Sequence, residues 1–139
     1  MNRSWLRCLF LSVSALGMFS ALSCGSKQQL VSINVTPTGS KMALSGLGQH
    51  LSTQFTAVGS YIHPPATKDI TSFAVWKTDA PGIITLSPSQ PGLVTTTGFA
   101  CGTNLGVTAN VYSNPSNPAA GSVISGQATV DVTIPECTP

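Results

Sequence analysis

From residue 30 onward, apolar residues recur at every second position in short runs separated by turn residues. Leu30–Thr36 sets Val31, Ile33 and Val35 against Ser32, Asn34 and Thr36, and Pro37 and Gly39 end the run. Gln49–Tyr61 places Leu51, Thr53, Phe55 and Ala57 on one face, and Ile70–Thr78 does the same for Ile70, Ala74 and Trp76. Gly82–Ser87 is short and stops at Pro88, and Leu93–Thr97 follows the Pro91–Gly92 turn. Thr103–Tyr112 turns Leu105, Val107, Ala109 and Val111 inward, and Gln127–Ile134 does so with Ala128, Val130, Val132 and Ile134. A period of two predicts strands with one buried and one wet face. Seven such runs with turn signals between them predict an all-β, seven-stranded sandwich. Trp76 shares the phase of Ala74, so it reads as a core anchor between two sheets rather than an exposed stacking platform.

The first residues follow a different pattern. Met1–Arg7 carries Arg3 and Arg7, and Cys8–Leu22 is an uncharged apolar run. That run is shorter than the roughly 20 residues a membrane-spanning helix needs. A basic start, an apolar middle and small residues at the end describe an export signal. Ser20, Ala21, Leu22 and Ser23 lead into Cys24, a sequence that resembles the lipobox of bacterial lipoproteins. It departs from that pattern in having Ala21 where Leu is more usual. The resemblance implies a helical signal peptide over 1–23 and a mature chain that begins at Cys24. It also implies lipid on the Cys24 thiol and amine, and therefore a membrane as partner. Several acyl chains attach stably where one does not. Gly25, in place of an Asp that would favour inner-membrane retention, implies the outer membrane or cell surface. An ordinary signal peptide with an incidental Cys, or an uncleaved anchor, are the other readings of this segment. Residues 24–29 (CGSKQQ) read as a lipidated flexible tether. One domain is expected over 30–135, with a C-terminal tail at 136–139.

Composition narrows the function. The chain has 139 residues, of which 7% are charged, and its six Lys and Arg face four Asp and Glu. Without Arg3 and Arg7, the four lysines (Lys27, Lys41, Lys68, Lys77) balance Asp69, Asp79, Asp131 and Glu136. A domain with no net charge lacks the basic stripe of a nucleic-acid binder.

Cys101 and Cys137 form an even pair in an exported domain, which points to a disulfide. They flank the last two predicted strands. An antiparallel hairpin that brought them opposite each other would pair Leu105 with Thr133 and Val111 with Gln127. A metal site is the weaker reading, because His50 and His63 have no ligand spacing with either Cys and structural zinc takes four close ligands.

The order of these pieces resembles the group 2 bacterial Ig-like domain found in intimin- and invasin-type surface proteins. The likeness covers about residues 30–134. It is carried by VSINVTPTG (Val31–Gly39), LSTQFTAVG (Leu51–Gly59), KDITSFAVWKTDAP (Lys68–Pro81), GLVTTTG (Gly92–Gly98) and QATVDV (Gln127–Val132). The segment Phe99–Thr103 and the long connection Ser113–Gly126 depart from that family's pattern. The resemblance implies an Ig-like Greek-key sandwich at a cell surface. It names no ligand, because a fold does not fix a function.

Little catalytic chemistry is visible. No Ser, His and acid stand in a known triad order, no G-x-S-x-G elbow occurs, and there is no phosphate-binding glycine loop or acidic calcium loop. The four acids read as turn, strand-surface and tail residues. No cofactor and no catalytic residue is expected. What remains are two connections, Tyr61–Thr67 (YIHPPAT) and Ser113–Gly126, expected at one end of the sandwich. Tyr61, His63 and Tyr112 are the candidate binding residues there, and the alternative is that both are plain surface loops. The expectation is a non-enzymatic, lipid-anchored Ig-like module for adhesion, envelope structure or protein–protein contact, with any protein or glycan ligand unknown. The alternative is a small carbohydrate-binding or accessory subunit of a secreted enzyme or transport complex.

Overall fold

The computed structural model describes residues 28–113 and 121–137. The expected signal peptide, Cys24 with its expected lipidation, and most of the expected tether lie outside the described residues. Within them the chain is all-β. Ten strands form three sheets around one core, an arrangement compatible with a β-sandwich.

β1 (Gln29–Thr36), β4 (Thr56–Ile62) and β5 (Ala66–Asp69) form one sheet in the order β1-β4-β5. β2 (Ser40–Ala43), β6 (Val75–Thr78), β9 (Gly102–Tyr112) and β10 (Val123–Thr133) form a second, in the order β2-β10-β9-β6. β3 (Ser52–Gln54), β7 (Ile84–Leu86) and β8 (Leu93–Thr96) form a third, β3-β8-β7. Ile33, Val35, Phe55, Ile70, Ile84, Val94, Val107, Val130 and Val132 supply much of the core. Trp76 packs against it half-buried and donates its Nε1–H to the Thr71 carbonyl (3.0 Å), as its phase predicts.

Several expectations need correction. Val31 does not face the core but is 46% exposed, while Leu30 packs inward. The cause is a bulge: the register slips between Leu30 and Ser32, and one extra residue reverses the alternation. Gln49–Tyr61 is not one strand. It breaks at the fully buried Phe55, with β3 paired to β8 and β4 to β1 and β5. Ile70–Thr78 is not one strand either. Ile70 to Ala74 is a tight turn in which Phe73 and Ala74 donate to the Ile70 carbonyl (3.2 and 3.0 Å), and only Val75 onward is strand. Ile70 and Ala74 are both buried because residues four apart in such a turn share a side. β2 and β5 have no counterpart among the seven expected strands. Gln29, assigned to the tether, lies in β1.

The last hairpin forms in a different register. Leu105 pairs with Val130 and Val111 with Ile124. A bulge at Val130–Val132, opposite the left-handed Asn104 (φ 54°), absorbs an extra residue. Asp131 fixes it by accepting the Asn104 N–H (2.8 Å). The Cys101–Cys137 disulfide forms all the same, with Cα atoms 6.4 Å apart. It does so because neither Cys belongs to the ladder. Cys137 is brought back by a turn in which its N–H donates to the Ile134 carbonyl (2.9 Å).

β1 and β2 run beside β10 in the same direction. Gly126 lies against the Ile33 backbone, Gly39 donates to the Thr129 carbonyl (3.0 Å), and Ser40–Ala43 pairs in parallel with Val130–Thr133. The molecule therefore has two unlike ends. Residues 28–30, the β4–β5 turn and the Tyr112–Val123 end of the β9–β10 hairpin occupy one. Leu44–Leu51, Thr97–Cys101 and the C-terminal turn occupy the other.

Candidate binding surfaces at the two ends

At the first end, β4 and β5 are joined by the turn that carries His63, Pro64 and Pro65. His63 is exposed and takes a left-handed backbone (φ 60°) within this turn. Tyr61 pairs with Leu30 on one side and Ala66 on the other, and packs half-buried against the core. The Lys68 ammonium sits 5.1 Å from the centre of the Tyr61 ring, a cation–π distance. Lys68 also donates to the Gln28 side-chain oxygen, and Gln28 Nε2 donates to the Pro64 carbonyl (3.3 Å). These contacts tie the start of the domain to the Pro-rich turn.

An open groove of about 430 Å³ separates this corner from the hairpin. Leu30, Val111 and Ile124 form its apolar part, and Gln28, Gln29, Ser113 and Ser122 its polar rim. The Ser113 N–H donates to the Ser122 carbonyl (2.9 Å) and holds the hairpin closed beyond β9 and β10. Tyr112 pairs with Val123. Its neighbour Val111 faces the groove, so Tyr112 points to the opposite side of the sheet. Of the three candidate residues, Tyr61 and His63 therefore share a corner, and Tyr112 lies across the groove on the outer face. The groove's glutamines were not among the candidates. Their polar, small-residue context reads as linker, and only the pairing of Gln29 with Ile62 and the Gln28 hydrogen bonds to Pro64 and Lys68 show them to be part of the domain.

Asp69 closes β5 away from this corner. The Thr71 side chain, and the Thr71 N–H that it accepts at 2.8 Å, hold its carboxyl below the ordinary value of 3.8.

The opposite end is apolar. Phe99 is 72% and Leu47 59% exposed. Their loops are joined where the Gly48 N–H donates to the Gly98 carbonyl (2.8 Å). Beside them a groove of about 360 Å³ runs along Gly102, Val132, Ile134 and the disulfide. His50 Nδ1–H donates to the Thr96 carbonyl here (2.8 Å), so the two histidines sit at opposite ends. Among the described residues, no group of three or more His, Cys, Asp or Glu is placed to hold a metal ion.

No protein-family model matches this chain, and no curated protein matches it.

Proposed function

We propose that this chain is a non-enzymatic, lipid-anchored Ig-like module of the bacterial cell envelope, serving adhesion, envelope structure or protein–protein contact. The observation that carries the reading is the Cys101–Cys137 disulfide, which suits an oxidising compartment outside the cytoplasm. It agrees with the export-type segment and lipobox-like Cys24 that precede the domain. Strand connections support the Ig-like part. The N-terminal region contributes β1 to one sheet and β2, parallel to the last strand, to another. β9 and β10 form the central hairpin of the four-stranded sheet, with β6 on its edge. The test is the intact mass of protein from its native membrane fraction, before and after reduction. Acylation at Cys24 and a two-hydrogen gain on reduction are the expected result. An unmodified N-terminus would sink the anchor.

The second reading, a small carbohydrate-binding or accessory subunit, draws on the first groove. Its amide and hydroxyl rim over Leu30, Val111 and Ile124 suits a sugar's mixed surface. Calorimetric titration with soluble glycans separates the two, since the first reading requires no such binding.

A further inference from the structure

We infer that the end of the domain bearing Gln28 and the Tyr61–Pro65 corner rests directly on the bilayer that holds Cys24, with a phospholipid surface as its partner. The inference deepens the proposed function and rests on the lipidated Cys24. Three observations converge on it.

The first is reach. Only four residue steps separate Cys24 from Gln28. A fully extended chain covers at most about 14 Å in four steps. Gln28 is itself fastened to Pro64 and Lys68, so the domain begins there without further slack. This end is thus held against the headgroup layer. β10, with 11 residues, places the other end roughly 35 Å farther out.

The second is surface chemistry. Val31 and Val123 are 46% and 49% exposed at this end. Tyr61 and Tyr112 are half-buried, each with an apolar ring and a polar tip. Side chains of that kind settle at a membrane–water boundary.

The third is charge. Lys68 stands beside Tyr61, and Lys27 immediately precedes Gln28 in the sequence. Three of the four acids lie toward the other end. Asp79 is bound to the Gly106 N–H, Asp131 to the Asn104 N–H, and Glu136 lies near Gly46. Lys41, in register with Asp131, and Lys77 on β6 offset two of those acids, and Asp69 follows Lys68, which leaves one net positive charge toward the first end and one net negative charge toward the second. An anionic bilayer favours the first end.

The experiment uses the full lipidated protein in vesicles of phosphatidylethanolamine and phosphatidylglycerol that carry a headgroup-proximal nitroxide lipid. Val123→Trp and Phe99→Trp place a reporter at each end, and the unaltered protein supplies the Trp76 background. Strong quenching in the Val123→Trp protein and none in the Phe99→Trp protein is the expected result. Lys68→Glu, added to Val123→Trp, should lower the docked-to-undocked ratio about fivefold or more on these vesicles. Equal quenching at both ends, quenching at neither, or quenching only in the Phe99→Trp protein overturns the docking while leaving the anchor. The mass of the same sample is read first. A chain without acyl groups overturns the anchor and the docking together.

Discussion

Asp79, in the turn after β6, accepts a hydrogen bond from the backbone N–H of Gly106 on β9 at 2.8 Å, and its other carboxylate oxygen fills the space where a Gly106 side chain would begin. A Cβ at Gly106 would lie 2.7 Å from Asp79 Oδ2 and 2.7 Å from Gln127 Nε2. The carboxylate thus does for the Gly106 N–H what a neighbouring strand would do. Asp79→Ala leaves that buried N–H without its acceptor, a loss of about 1–3 kcal/mol. Asp79→Asn keeps an acceptor and should recover most of it. Urea denaturation of the three proteins measures both, and an Ala variant as stable as the parent would show the bond to be dispensable.

The disulfide closes a loop of sequence separation 36. On the chain-entropy account its removal costs about 3–4 kcal/mol. The Cys101→Ser, Cys137→Ser double variant should lose that much in chemical denaturation, and reduction of the parent should match it. If reduced and oxidised protein unfold at the same urea concentration, the bond does not stabilise the domain.

At Gly126, β10 runs close against β1. A Cβ there would lie 2.5 Å from the Ile33 carbonyl oxygen, a backbone atom that cannot rotate away. Gly126→Ala must separate two sheets, at about 1–3 kcal/mol by the usual penalty for overpacking. Thermal unfolding should show a lowered midpoint. A midpoint at or above the parent's would mean that the strands part without cost.

Asp69 makes a pH-dependent contribution. Its carboxyl titrates below the ordinary 3.8 because Thr71 hydrogen-bonds the charged form. A depressed folded-state value stabilises the protein above the unfolded-state value and loses that contribution as pH falls through the folded-state value. The stability difference between the parent and Asp69→Ala should therefore shrink between pH 6 and pH 2–3. A difference that stays constant or grows on acidification contradicts the Thr71 contact.

The strands legible in the sequence were those whose alternation runs unbroken. β9 and β10 bury Leu105, Val107 and Ala109 against Ala128, Val130 and Val132 as the pattern requires. The break at Phe55 is silent because β3 and β4 point their side chains in one continuous phase and only the pairing partner changes. The turn at Ile70–Ala74 hid behind a coincidence, since a four-residue spacing is also an even number and so mimics strand phase up to Trp76. β2 has four residues, two of them polar, and exists by virtue of its pairing with β10. The disulfide was legible as a pair, but the register inferred from it was not. A bond outside the ladder does not count the residues inside it. At the candidate surfaces, Tyr61 and His63 were visible as unusual residues in a Pro-rich connection. Gln29 and the outward turn of Tyr112 depend on strand pairing, and Gln28 on contacts to Pro64 and Lys68, none of which a local pattern specifies.

The parallel pairing of β2 with β10 also governs how the molecule answers force. A pull between the N-terminal side and the C-terminal turn draws Ser40–Ala43 and Val130–Thr133 past each other lengthwise. Their hydrogen bonds are then strained in shear and must yield together, where peeling would break them one at a time. The cross-link from Cys137 to Cys101 keeps the intervening segment from paying out at all. Such a domain resists tension stiffly, and once it gives way only the chain ahead of Cys101 can lengthen.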